Sequence, residues 1–192
     1  MIKTKLQYVK RALILEEAAK LFERVGYEQL KVSDLAKSVG VSVGSIYGMF
    51  ESKEGLYMAY VKSQITHYIE TLEARCAETA SPEAQLEEAY RLKFENFAAK
   101  RKAVEDYARN NPLFFSNIRY AEPEILEKVY VKIAEIIRGI APEKNETEAL
   151  RLAYTLSGLS DGYLMHWLTH GGDLLAQAPQ LHAQMLTIIK GC

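Results

Sequence analysis

The chain has 192 residues, of which 48% are apolar and 26% charged, with a formal charge of −1, which is enough length for a sizeable core and about two domains at most. No apolar run approaches the roughly 20 residues a bilayer-spanning helix needs, and the N-terminus alternates Lys with apolar residues instead of building a signal peptide, so a cytoplasmic setting is expected. Two cysteines, Cys76 near a helix end and an oxidisable Cys192, make no disulfide framework.

In chain order, Lys3 and Lys5 precede the first helix and read either as a short basic arm or as a solvated terminus. Ile14, Ala18, Leu21, Phe22 and Val25 then recur with helical spacing, and Gly26 closes that helix. Val32, Leu35, Ala36 and Val39 form the buried stripe of a second, short helix, with Gly40 at its left-handed C-terminal cap and Val41 plugging the turn. Ser42 is placed to cap a third helix, whose Ile46 and Phe50, four apart, face the core and leave Val43, Ser45 and Tyr47 directed elsewhere. Two short helices meeting at a glycine turn spell a helix-turn-helix, whose second helix can enter the DNA major groove. An ordinary helical corner is the alternative. Through Gly55 there are nine Lys or Arg against seven Asp or Glu, a net of +2. With −1 for the whole chain, the remainder carries −3, an asymmetry consistent with a DNA-facing N-terminal end.

The series Arg11, Ile14-Leu15, Ala18-Ala19, Leu21-Phe22, Gly26-Tyr27-Glu28, Val32, Asp34-Leu35-Ala36, Val39-Gly40-Val41-Ser42, Gly44-Ser45-Ile46-Tyr47, Phe50, Ser52-Lys53-Glu54 and Leu56 resembles the N-terminal domain of TetR-type (tetracycline-repressor family) transcriptional regulators, without a gap. The resemblance implies that Ser45 turns a hydroxyl to DNA, that Tyr47 donates to a phosphate, that Lys53 contacts the phosphate backbone and that Gly44 permits close approach. Ser42, Val43 and Gly48 complete the expected DNA-binding set, within a motif at about 30–49. Three departures from the family pattern stand out. Lys31 occupies a position where a hydroxyl usually caps the helix, a loss of about 1 kcal/mol. Val43 replaces a longer polar side chain, and Gly48 and Met49 replace aromatic or polar groups. Val43 can touch a thymine methyl but forms no hydrogen bond, so readout should lean on phosphate contacts and DNA shape.

Helical spacing continues beyond residue 56. One long helix carries Tyr57, Val61, Gln64, Ile65, Tyr68 and Leu72. Ser81 and Pro82 restart the next, which carries Leu86, Ala89, Tyr90, Lys93, Phe94 and Phe97. A weaker helix is expected at about 102–109, a break at Asn110-Asn111-Pro112, and non-helical chain at Phe114-Phe115. Further helices are expected from Pro123 to Arg138, from Glu146 to His170 and from Pro179 to before Gly191. No β-pattern appears. The aromatic residues Tyr90, Phe94, Phe97, Tyr107, Phe114, Phe115, Tyr120, Tyr163 and Trp167 are expected to line an effector cavity, with plain core packing as the alternative. Gly158 and Gly162, four apart in a helix, join Leu181, Met185 and Ile188 as an expected dimer surface, matching the four-helix interface the resemblance implies. His166 and His170 share a helix face, but no third ligand completes a metal set, and no nucleophile–base spacing or phosphate-cradling loop argues for catalysis.

The sequence therefore predicts an all-α protein. A three-helix DNA-binding unit (residues 7–67) is fused to a helical ligand-binding and dimerisation bundle (68–192), with no metal or cofactor and no enzymatic activity. Its partners are palindromic operator DNA, a small lipophilic or aromatic effector that releases it as a repressor, and a second copy. The alternative is a helical ligand-binding protein with a weakened DNA unit, which Gly48 and Met49 leave open.

Overall fold

The computed structural model describes residues 2–111 and 113–191, and every regular element among them is helical. The helices are α1 (Ile2–Gln29), α2 (Val32–Ser38), α3 (Val43–Phe50), α4 (Lys53–Ala77), α5 (Pro82–Ala99), α6 (Arg101–Asn110), α7 (Phe114–Ala121), α8 (Pro123–Ile140), α9 (Glu146–His170) and α10 (Ala178–Lys190), with a 3-10 turn at Leu175–Gln177. The side chains of Lys3 and Lys5, and residues Pro112 and Cys192, lie outside what is described, and with them the expected basic arm and oxidisable thiol.

Local chemistry sets the boundaries. Gly26, at φ 85 and ψ 171, breaks the helical path inside α1. Ser52 and Ser81 cap α4 and α5 by accepting from Gly55 N at 2.9 Å and Ala84 N at 3.2 Å. Asn145 and Glu148 make a reciprocal capping box at the start of α9. The expected non-helical segment at Phe114-Phe115 is a correction: both open α7, whose first N–H bonds back to Asn111 O at 2.9 Å. The Asn-Asn-Pro break ends α6 but is spent within a few residues.

The chain divides into two compact units, Met1–Gln64 with Lys100–Phe114, and Ile65–Ala99 with Phe115–Cys192. The segment Lys100–Phe114 joins the first unit because α6 packs on α1. A Cβ on Gly26 would sit 2.5 Å from Asp106 Oδ2 and 3.1 Å from the Lys102 carbonyl oxygen, so close approach as well as positive φ demands glycine there. Tyr57 donates to Ala103 O at 3.0 Å, and Tyr107 donates to Glu54 at 2.8 Å. The Tyr57 and Tyr107 rings stack at 4.4 Å between centroids, and Tyr27 meets each edge-on at 5.1 and 4.9 Å. Such ring pairs contribute about 0.5–1.5 kcal/mol each beyond area burial. Around them Ile14, Ala18, Phe22, Leu35, Ile46, Phe50 and Leu56 complete the core of the first unit.

In the second unit α8 packs on α5 and α9, and α10 packs on α5. Its core holds Leu72, Leu86, Phe94, Ile137, Leu156, Leu164, Leu181, Met185 and Ile189. Cys76 is buried beside the end of α4. Among the described residues no helix is long and apolar enough to cross a membrane.

Candidate nucleic-acid interface and effector region

The helix-turn-helix is α2, a four-residue turn and α3. Lys31 supplies no side-chain cap to α2, as its chemistry dictates. The exit of α2 is secured instead by a Schellman arrangement: Val41 N bonds Ala36 O at 2.9 Å and Gly40 N bonds Lys37 O at 3.3 Å, with Gly40 at φ 68. Ser42 Oγ accepts from Ser45 N at 3.1 Å, capping α3. Ile46 and Phe50 anchor α3 in the core, and the Arg11 guanidinium of α1 lies 4.6 Å over the Phe50 ring.

The opposite face of α3 is open. Tyr47 is 41% exposed and Val43 36% exposed, and Ser42, Gly44 and Gly48 are exposed with them. Ser45 is half-buried, and its hydroxyl shares a 3.0 Å hydrogen bond with that of Ser42, so it enters any DNA contact already committed to a neighbour. Lys53 donates to Glu28 O at 3.1 Å and stands 4.7 Å over the Tyr27 ring. Partial burial pulls its pKa below the ordinary lysine value, against the opposing pull of Glu28.

The aromatic set expected to line one cavity is divided by the fold. Tyr107 and Phe114, whose rings meet edge-on at 5.8 Å, are buried in the first unit. Tyr120 is 85% exposed: the turn of α7 that buries Ile118 carries Tyr120 outward. In the second unit Tyr90 is buried, Phe94 lies 6.3 Å from Tyr163, and Phe97 lies 5.9 Å from Phe115. Trp167 is buried and donates its indole N–H to Gly172 O at 3.2 Å, and Tyr163 donates to Gln184 at 2.9 Å.

Sequence reasoning overlooked a charged junction among these rings. The Lys93 ammonium donates to Ser160 Oγ and to Asp161 Oδ1, each at 2.7 Å, and Arg119 Nη2 reaches Asp161 Oδ2 at 3.3 Å. The available signal was a lysine standing in the apolar stripe of α5, between Tyr90 and Phe97.

On the expected dimer surface Gly158, Gly162 and Ile188 are exposed, and a Cβ on either glycine would meet nothing within 4 Å. Leu181 and Met185 are fully buried within their own unit. His166 and His170 place their rings 4.7 Å apart, and among the described residues no third His, Cys or carboxylate joins them.

Residues 14–60 match the family model for bacterial regulatory proteins of the tetR family. A 73-residue stretch is 33% identical to the fatty acid metabolism regulator protein of Bacillus subtilis (strain 168), covering 38% of each chain. Over 149 residues the chain is 26% identical to the HTH-type transcriptional regulator RutR of Escherichia coli (strain K12), covering 78% of this chain and 63% of that one. The matched stretches therefore span less than two thirds of these curated relatives. Among solved structures, the regulator FadR from Bacillus subtilis in complex with stearoyl-CoA superposes with a TM-score of 0.71 at 23% identity, over 94% of this chain and 98% of that one. A putative transcriptional regulator from Saccharomonospora viridis in complex with choline gives 0.63 at 23% identity, over 94% and 95%. The N-terminal segment thus matches the tetR family model, and the chain as a whole shares the all-helical fold of these solved transcriptional regulators.

Proposed function

We propose that the protein is a homodimeric, cytoplasmic repressor that binds a palindromic operator and is released by a small lipophilic or aromatic effector, with no catalytic step. The observation that carries the reading is α3, anchored by Ile46 and Phe50, capped by Ser42, and presenting Val43 and Tyr47 on an open face. Tyr47, Lys53 and the α3 N-terminus would hold phosphates, while Val43 and Ser45 give weak base discrimination. Support for an effector comes from neighbours of the same fold, one solved with an acyl thioester and one with a quaternary ammonium. Gly158, Gly162 and Ile188 would meet their two-fold copies.

Release follows if ligand among the C-terminal helices shifts α4, a single helix whose residues belong to both units. Half-sites lie about 34–36 Å apart, so a displacement of a few ångströms takes one recognition helix out of its groove. The test is selection of DNA by the purified protein, followed by titration of the selected site at several salt concentrations. A palindrome is expected. Failure to bind any DNA at low salt would favour a ligand-binding protein whose DNA unit has weakened at Gly48 and Met49.

A further inference from the structure

Lys93 and Phe97 are four apart on α5, and Phe115 and Arg119 are four apart on α7, so each helix presents a ring and a cation on one face. The rings meet, Phe97 to Phe115 at 5.9 Å, and one helical turn away both cations converge on Asp161 of α9. This junction is half-buried, with side-chain exposures of 18% for Lys93, 15% for Asp161 and 36% for Arg119.

Its charges do not balance. Two cations share one carboxylate, and Glu127, which like Arg119 acts on the Tyr154 hydroxyl, accepts from it at 2.8 Å. Lys93 is well satisfied by Asp161 and the buried Ser160 hydroxyl, both at 2.7 Å. Arg119 is not. Its Nη2 has one long bond of 3.3 Å, and its Nε is buried without a hydrogen-bond partner among the described residues. The Tyr130 ring, 5.8 Å from the guanidinium carbon, adds no acceptor in the guanidinium plane. An orphaned buried donor of this kind is a standing penalty, and an oxyanion toward which the Nε and Nη2 edge turns, away from Asp161, removes it through two parallel bonds.

We propose that Arg119, backed by Lys93, receives the oxyanion head of an amphiphilic effector whose apolar chain runs against Phe97 and Phe115. The inference rests on the effector reading above and assigns it a charge: an acyl or aryl chain ending in a carboxylate or comparable oxyanion. A quaternary ammonium meets net positive charge at this junction and is excluded by it.

The test is calorimetric titration of the full-length protein with decanoate, decanol and decyltrimethylammonium, all below their micelle concentrations. Arg119→Gln and Arg119→Lys proteins are titrated alongside and checked for unaltered thermal unfolding. Decanoate should bind about tenfold or more tighter than decanol, as expected for a charge-assisted fork. The ammonium should bind weakest. Arg119→Gln should erase the preference for decanoate while leaving decanol unchanged, and Arg119→Lys should retain part of it. Equal binding of decanoate and decanol, tightest binding of the ammonium, or a preference that survives Arg119→Gln would overturn the assignment while leaving a lipophilic effector in place. Absence of binding by every chain would sink the lipophilic-effector reading together with it. A variant that unfolds early is replaced by Lys93→Gln, for which a smaller loss of the same preference is expected and an unchanged preference counts against the site.

Discussion

The Lys53 ammonium is held 3.1 Å from the Glu28 carbonyl oxygen and 4.7 Å over the Tyr27 ring before any DNA arrives. Holding a long, entropic side chain in place reduces the cost of ordering it at a phosphate. A Lys53→Gln protein should therefore change in two separable ways. The slope of log affinity against log salt should fall by about 0.9 for each phosphate left unneutralised. Stability should fall by roughly 1 kcal/mol as the cation–ring attraction and the carbonyl bond go. A salt slope equal to wild type would mean that the ammonium does not reach the backbone of DNA.

Tyr47 offers the cleaner comparison, because its ring is 41% exposed and little packing rests on it. Tyr47→Phe should leave thermal unfolding within about 0.5 kcal/mol of wild type. Affinity for selected and for random DNA should drop together, by about 1.5 kcal/mol, through loss of one hydrogen bond to a charged group. Gel shifts on both DNAs decide it, and a loss confined to the selected sequence would reassign Tyr47 to base readout.

Glu51 leaves α3 at φ 66 and ψ −46, and Ser52 N bonds Phe50 O across it at 2.7 Å. This is a tight three-residue turn with positive φ at a residue that has a Cβ, a conformation that costs about 1–3 kcal/mol. Glu51→Gly should raise the midpoint of chemical denaturation, because relief of that strain exceeds the added freedom of the unfolded chain. Glu51→Val, which is β-branched, should lower it by about 1–2 kcal/mol.

The buried tyrosines of the first unit predict an alkaline limit. Burial drives the Tyr57, Tyr60 and Tyr107 hydroxyls well above the ordinary tyrosine value, and Glu23 and Glu54 push the same way on the latter two. Their folded-state pKa values thus exceed the unfolded ones. The stability they contribute is complete below about pH 10 and declines above it, because the unfolded chain releases those protons first. Tyrosinate absorbance should rise together with loss of helical circular dichroism. Replacing Tyr57 by Phe should flatten the decline and cost about 1 kcal/mol at neutral pH through the bond to Ala103 O. Titration of these tyrosines with the helices still folded would contradict a coupling between their ionisation and unfolding.

Gly158 and Gly162 are exposed on α9 with open space over them, so alanine there should stabilise an isolated protomer by up to about 1 kcal/mol each. Glutamate at both should convert a dimer to a monomer in sedimentation velocity while far-ultraviolet dichroism is retained. A dimer unaffected by the double substitution would place the interface elsewhere.

Helices and caps were the legible part. Apolar spacing and a single residue such as Gly40, Ser42 or Ser81 settle most boundaries, because caps act within one turn of chain, whereas the start of α7 at Phe114 went unread. The α3 face was legible for the same reason: Ile46 and Phe50 fix which way the rest must point. What escaped is whatever depends on long-range pairing. Periodicity places Tyr107 on the inner side of α6, but not that this side meets Tyr27 and Tyr57. Periodicity marks Leu181 and Met185 as apolar, but not that α10 buries them against α5. Arg119 and Asp161, 42 positions apart, have no local signature of their pairing.

The insertion of Lys100–Phe114 into the first unit has a consequence for how this protein is born. Chains emerge from the ribosome N-terminus first, and domains commonly close as soon as their residues are available. Here the helix-turn-helix is finished by residue 50, yet the ring stack that secures it waits for Tyr107. About half the protein must be synthesised before the N-terminal unit can lock. A nascent chain stalled, or a fragment cut, after α4 would carry an intact recognition helix on an unfinished core, with the Tyr27 and Tyr57 rings facing water.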